Sequence, residues 1–311
     1  MIQPLVSIVM CSYNEDTLLK DAIESVLAQD YAAIELIILD DASPNLKTHE
    51  ILRIYENHPK VTVYFNKVNR GYLKNKNFAI SKANGEYITQ LDNDDFIAST
   101  KVSRQLEVLE KMPEIKIIGC GYFWIDGNGQ IVQKNKVLND ILIDKPEGVY
   151  PFWFPSLLVH RSVYKDLGYF NEYFDGTMGD DYYWTVVANM KFPIYHIADC
   201  LYYYRFNPNS ITNVLNNERK MIAPLVLKEL VRQHVKTSTD WLQQQAYSSI
   251  KDYEKKIKEN KSLMAEQYRI WAAKAIDKND FYFAKKLLLK SFWRFPFSVS
   301  LVRTFFYLLK K

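Results

Sequence analysis

The chain opens on a near-continuous apolar run, Leu5-Val6-Ser7-Ile8-Val9-Met10, as a parallel strand buried on both faces requires. The period then changes: over residues 16–29, Leu19, Ile23, Val26 and Leu27 recur on one face of a helix. Residues 35–39 form a second apolar run ending in Asp40-Asp41. A helix near 47–57 stops before Pro59, and residues 61–65 make a third strand. Residues 72–84 predict a helix with Gly85 just past its end. Residues 86–91 give a fourth strand, and Ser99 is expected to cap a helix that runs to Met112, ahead of Pro113. This alternation predicts an α/β fold, a doubly wound and mostly parallel sheet with ligands at the carboxyl ends of its strands.

The second half is less regular. A strand over 115–123 meets a turn at Asp126-Gly127-Asn128-Gly129 and returns at Ile131-Val132. The turn invites a calcium reading, but the Glu that closes an EF-hand loop is missing, so tight-turn chemistry explains it. An aromatic-rich stretch covers 150–173, Gly179-Asp180-Asp181 opens a helical pattern to Asn189, and 192–204 is β-like and ends in Arg205. Beyond 217 the pattern is helical. There Ala284, Leu288, Ser291 and Pro296, with a helix over 268–276, match one imperfect tetratricopeptide-like pair.

Charge sharpens the division. Residues 1–217 hold 20 Lys+Arg against 27 Asp+Glu, a net of −7, whereas 218–311 hold 20 against 9, a net of +11. A boundary near 215 is therefore expected, with an α/β domain over 1–215, the one that the strand-end residues below make the catalytic candidate, and a helical, basic region over 216–311. The basic region is a candidate for contact with an acidic surface. Solvated faces of Lys-rich helices account for the same charge. Its last stretch, 292–311, is apolar with Arg294, Arg303, Lys310 and Lys311, which suits either a peripheral membrane contact or burial against the catalytic domain. A second copy of the chain is a further candidate partner.

Several function classes fall away. The N-terminus has no basic n-region or apolar h-region, and no run reaches the roughly 18 apolar residues of a membrane span. The expected location is cytoplasmic, with the inner face of the cell membrane as a candidate docking surface. Cys11, Cys120 and Cys200 read as reduced, buried thiols, and the five histidines form no zinc pattern. No GxxxxGK[ST] phosphate loop occurs, and no nucleic-acid motif accompanies the basic tail.

The predicted strand ends carry the polar residues: Cys11-Ser12-Tyr13-Asn14-Glu15, Asp40-Asp41, residues 66–71, and Asp92-Asn93-Asp94-Asp95. Three carboxylates after a strand repel one another. A hard divalent cation, Mg²⁺ or Mn²⁺, relieves that repulsion and then takes phosphate oxygens in its open positions. A solvated turn is the plain alternative for that loop alone. Lys74 and Lys76 are candidate phosphate cations. Tyr13 offers a flat face to a nucleobase or packs as an ordinary aromatic, and Asp41 accepts a base N–H or caps a turn.

Together these residues resemble the inverting family 2 glycosyltransferases of the GT-A fold, over roughly residues 4–212. The likeness is carried by Val6-Ser7-Ile8-Val9-Met10-Cys11-Ser12-Tyr13-Asn14, the strand and turn over 35–43, Asn69-Arg70-Gly71, and Gly85-Glu86-Tyr87-Ile88 running into Asp92–Asp95. His160-Arg161-Ser162, Leu167-Gly168-Tyr169-Phe170-Asn171-Glu172, Gly179-Asp180-Asp181 and Tyr204-Arg205 with Ser210 extend it. The resemblance implies that Ser12, Tyr13, Asn14, Glu15, Asp41, Lys76, Asp92 and Asn93 bind the nucleotide of a nucleotide-sugar donor, with uracil on Tyr13 and Asp41. It implies that Asp94, with Asp92, ligates Mn²⁺ or Mg²⁺. It assigns Asp181 as general base, with Asp180 as the open alternative, because the family's Glu-Asp pair is here Asp-Asp. The acceptor would be a hydroxyl of a glycan, lipid-linked or glycoprotein substrate in bacterial surface polysaccharide or lipooligosaccharide synthesis. Two further departures are Lys76, where many members have Arg, and Asn207, where members often have His. A sugar-phosphate nucleotidyltransferase would carry an N-terminal Gly-rich signature, and residues 5–20 hold no Gly. A catalytically silent sugar-binding scaffold of the same fold is the remaining alternative.

Overall fold

The computed structural model describes residues 3–135, 137, 139–146, 150–206, 214 and 217–310. Asn207 and Ser210 lie outside the described residues. The chain divides into two compact units, Met1–Gly176 with Asp180–Ser210, and Thr177–Gly179 with Ile211–Lys311.

The first unit is built on the apolar runs. Strands β1 (Val6–Ser12), β2 (Ile34–Asp40), β3 (Val61–Phe65) and β4 (Tyr87–Gln90) lie parallel in the order β3-β2-β1-β4. Helices α1 (Leu19–Leu27), α2 (Leu46–Tyr55) and α3 (Tyr72–Lys82) cross between them. In α1, Leu19, Ala22, Ile23 and Val26 are buried at the helical spacing that the pattern required. Full burial of a Leu, Ile or Val side chain contributes roughly 1.5–3 kcal/mol each. Expectation and structure differ at two caps. Helix α3 ends at Lys82, and Gly85 instead marks a close backbone approach: a Cβ there would lie 2.5 Å from the Ser7 nitrogen. Ser99 caps nothing, because α4 (Lys101–Lys111) starts behind Thr100 and its N-cap side chain makes no capping bond.

After the short β5 (Phe96–Ile97) and α4 come β6 (Ile117–Ile125), β7 (Ile131–Lys134), β8 (Ile141–Ile143), β9 (Leu158–His160), α5 (Arg161–Leu167), α6 (Asp180–Asn189) and β10 (Ile194–Arg205). The sheet path is β3-β2-β1-β4-β9-β6-β10-β5, with β7 on β6 and β8 on β10. The three-residue β9 is antiparallel to both β4 and β6, so it joins the two parallel halves, and β10 runs parallel to β6. That insertion brings the carboxyl ends of β1, β2, β4 and β10 to one edge. The three cysteines are free, but only Cys120 is fully buried; Cys11 and Cys200 are partly exposed.

The second unit is helical: α7 (Glu218–Thr237), α8 (Tyr247–Glu259), α9 (Lys261–Asp277), α10 (Phe281–Arg294) and α11 (Val299–Lys310). Helix α9 is its hub, burying Met264, Ala265, Tyr268, Trp271, Ala272, Ala275 and Ile276. Helices α8, α10 and α11 pack on it, and the Ser291 hydroxyl donates to the Ala265 carbonyl at 2.7 Å. Among the described residues, no helix is long and apolar enough to cross a membrane.

Candidate active site

The loop after β1 is tied to its neighbours. Ser12 is buried, its carbonyl accepts the Asp41 N–H at 2.9 Å, and its hydroxyl lies 3.4 Å from the Asn93 amide nitrogen. Asn14 adopts φ +57°, and its N–H donates to the Ser43 hydroxyl at 2.8 Å. Tyr13 stands 53% exposed at this edge, so its ring is not part of the core. Two residues expected to face the nucleotide are engaged elsewhere. Glu15 Oε1 accepts the N–H groups of Thr17 and Leu18, both at 2.9 Å, where the chain enters α1. Asp41 accepts the N–H groups of Arg70 and Gly71, at 2.7 and 3.0 Å, and the Asn66 amide at 3.0 Å. Burial would raise the Asp41 carboxyl, but these donors outweigh it and hold the group below its usual range. Its visible work is to shape the β3–α3 loop. Gly71 follows from that shape: its φ is +94°, and a Cβ would meet the Asp175 carboxylate at 2.6 Å.

The acidic loop after β4 separates into a buried anchor and a half-buried pair. Asp95 is buried, accepting the Tyr202 hydroxyl and the Arg205 N–H, each at 2.7 Å. The Arg205 guanidinium donates to the carbonyls of Asp94 (2.8 Å), Asp126 (3.0 Å) and Gly127 (2.8 Å). These bonds fix the turn, and Asp92 and Asp94 remain half-buried at the sheet edge. Burial, then repulsion from Asp94, pushes the Asp92 carboxyl up to about 6. Tyr72, at the start of α3, places its hydroxyl 3.4 Å from Asp92.

The second acidic pair opens α6, where the helix N-terminus favours negative charge. Its two members are not equivalent. The buried Lys76 ammonium lies 3.2 Å from Asp180 and sits over the Phe170 ring at 3.7 Å. Asp181 accepts the neighbouring Tyr182 N–H at 2.7 Å. Burial, then the Asp180 charge, pushes Asp181 up to about 7, against the weaker pull of Lys76. Cys11, in the field of Lys76 and Asp92, is pushed up by burial to about 12 and stays a thiol.

Among the described residues, no three or more His, Cys, Asp or Glu gather to hold a metal by themselves. Asp92 and Asp94 nevertheless fit a hard divalent cation, which commonly takes one or two carboxylates and completes its shell with water and phosphate oxygens. Their mutual repulsion is the charge such an ion would neutralise.

The structure therefore gathers Ser12, Asn93, Asp92, Asp94, Lys76, Asp180 and Asp181, and diverts Glu15 and Asp41. Lys74 points away from this group. It lines, with Arg70, Asn77, Phe78, Tyr169 and Glu172, a shallow cavity of about 660 Å³ on another face of α3. Trp184 is core: it stacks on Tyr164 and donates to the Gly168 carbonyl. Trp153 lies 4.0 Å from the Tyr204 ring, and its buried indole N–H has no partner among the described residues. Sequence reasoning missed Tyr72 and Tyr202. The i, i+4 spacing of Tyr72 and Lys76 was the available signal for the first.

A family profile described as glycosyl transferase family 2 matches residues 7–168. An uncharacterized glycosyltransferase of Methanocaldococcus jannaschii is 31% identical over 67% of this chain and 73% of its own length. EpsE of Bacillus subtilis (strain 168), which carries a glycosyltransferase name, is 30% identical over 69% of this chain and 79% of its own. Among solved structures, S. aureus TarS 1-349 in complex with UDP-GlcNAc has a TM-score of 0.59 at 17% identity, over 74% of this chain and 67% of that one. That likeness gives the fold, a GT-A-type α/β unit. The family match covers more than half of the chain's length, and the chain belongs to glycosyl transferase family 2.

Proposed function

We propose that the chain is an inverting glycosyltransferase that moves a sugar from a UDP-sugar to a hydroxyl of a glycan, lipid-linked or glycoprotein acceptor, in bacterial surface polysaccharide or lipooligosaccharide synthesis. The observation that carries the reading is the split acidic pair: Lys76 pairs with Asp180 at 3.2 Å, while Asp181 is poised near neutral pH. A carboxylate with a pKa close to the working pH is suited to general base catalysis. Asp181 takes the proton of the acceptor hydroxyl as that oxygen bonds to the anomeric carbon. The carbon–oxygen bond to the diphosphate breaks on the opposite face and the nucleotide leaves with the electron pair, so the anomeric configuration inverts. The protonated thiol of Cys11 offers no competing covalent route.

Asp94 and Asp92 would hold Mn²⁺ or Mg²⁺, which supplies charge neutralisation on the departing diphosphate. Lys76 adds a positive charge beside that group, and Ser12, Asn14 and Asn93 line the nucleotide edge. Tyr13 is free to stack on the base. Glu15 and Asp41 act through the loops they hold. A UDP donor is supported by the TarS complex with UDP-GlcNAc.

Thermal melting against UDP, GDP, CDP and dTDP, with and without Mn²⁺, tests the donor reading. Ligand at 100 times its Kd adds about 2.7 kcal/mol. A metal-dependent rise with UDP alone is expected. A rise with another nucleotide refutes the uracil pocket, and none at all favours a silent scaffold.

A further inference from the structure

Helix α11 has two apolar faces. One, made by Leu301, Thr304 and Leu308, is buried within the helical unit. The other, Val302, Phe305, Phe306 and Leu309, follows the i, i+3, i+4, i+7 spacing of a helical stripe, and each of these side chains is more than half exposed. Helix α10 repeats the arrangement, with Tyr282, Leu289 and Trp293 outward over buried Ala284, Leu287 and Leu288. The connection between the helices adds Phe297, exposed at 88%, four positions after Trp293 at 80%. A cluster of this size on a soluble surface marks an interaction site.

Charge identifies the partner. Residues 281–311 carry seven Lys and Arg and no Asp or Glu. Lys285, Lys286 and Lys290 lie among the exposed apolar residues of α10, and Arg303 and Lys310 flank the α11 stripe. A symmetric contact with a second copy would set cations on cations without one carboxylate from this segment to offset them. An anionic lipid surface complements both features: acyl chains accept Trp, Phe and Leu at the interface, and headgroup phosphates accept the cations. No described helix is long and apolar enough to span a bilayer, so the contact is interfacial.

We infer that the exposed faces of α10 and α11 form a docking surface for an anionic membrane, with Trp293, Phe297, Phe305 and Phe306 entering the headgroup region. This stands independently of the transferase reading, since it rests on the helical unit alone.

The test is flotation of the full-length protein with vesicles of pure phosphatidylcholine or of phosphatidylcholine with 30% phosphatidylglycerol, at 50 and 500 mM NaCl. Recovery is expected on the anionic vesicles at low salt, falling at high salt. Each cation near an anionic surface contributes about fivefold to partitioning, so Lys285→Gln/Lys286→Gln/Lys290→Gln should lose about 100-fold. Phe305→Ser/Phe306→Ser should lose binding while its melting curve stays that of the parent, because both side chains are exposed. Trp293→Phe should remove a vesicle-induced blue shift of the fluorescence. Equal recovery on neutral and anionic vesicles, or none on either, overturns the proposal. So does a dimer in sedimentation equilibrium that Phe305→Ser/Phe306→Ser dissolves, which would assign the face to a second copy.

Discussion

Replacing Asp181 by Asn removes one charge and changes almost no volume, so it separates the chemistry of that carboxylate from its packing. Asp181 is raised from 3.8 to about 7 by burial and then by Asp180. The folded protein therefore keeps a proton between about pH 4 and pH 7 that the unfolded chain has released. Fewer protons bound in the unfolded state make stability fall as pH rises through that window. At about 1.4 kcal/mol per pKa unit, the ceiling on this cost above pH 7 is about 4 kcal/mol. Solvent at the half-buried carboxyl reduces that to on the order of 1–2 kcal/mol. Asn carries no such cost. The variant should melt a few degrees higher than the parent at pH 8, at roughly 2–4 °C per kcal/mol for a catalytic unit of this size, and no higher at pH 4. Its kcat should fall by about 10²–10⁴, the usual contribution of a general base. Melting in parallel at pH 4 and pH 8, with initial rates on a UDP-sugar, reads both effects. A variant that keeps its rate within tenfold, or that melts lower than the parent at both pH values, would falsify the assignment and make Asp181 a satisfied structural carboxylate.

The pH dependence of kcat/KM should show a rising limb near pH 7, where Asp181 ionises. Asp180→Asn should move it lower, because the like charge that raises Asp181 is gone. Lys76→Met should move the same limb higher and weaken the UDP-induced melting shift, since Lys76 holds both acidic groups down; Lys76→Arg should retain the direction of both. Arg205→Lys should forfeit bonds to at least one of the carbonyls of Asp94, Asp126 and Gly127. A buried acceptor left unpaired costs about 1–3 kcal/mol, read as a lower melting midpoint, and Mn²⁺ should then be needed at higher concentration for the UDP shift. A chelator should abolish that shift in the parent without lowering the melting point of the nucleotide-free protein.

The parallel half of the sheet was legible because burial on both faces writes itself as uninterrupted apolar runs. Leu5-Val6-Ser7-Ile8-Val9-Met10 could hardly be anything else, and α1 shows its inward face at the expected spacing. The other half was harder to read for a physical reason. Strand β9 is three residues, Leu158-Val159-His160, too short for any period to show, yet it joins β4 to β6. Its neighbourhood is held by polar groups that a helical pattern assigns to solvent. Lys101 is fully buried on α4 and donates to the Thr89 hydroxyl at 3.0 Å, and burial pulls it down to about 8. Gln105 donates to the carbonyls of Ile118 and Ser156. Hydrophobic periodicity carries no record of such contacts.

The site shows the same limit at the scale of single residues. Motif spacing places carboxylates at strand ends, but it does not say which of them are already satisfied. Asp41 and Glu15 sit at the expected edge and are largely taken by backbone N–H groups of their own loops. Asp180 and Asp181 are adjacent and chemically identical in sequence, so nothing local chooses between them. The choice is made by Lys76, 104 positions away, whose ammonium pairs with Asp180, while burial and repulsion outweigh its weaker pull on Asp181. A base is thus selected by pairing: one member of the pair is held by the cation and keeps its charge, and the other, buried beside that charge, acquires a pKa at which it can accept a proton.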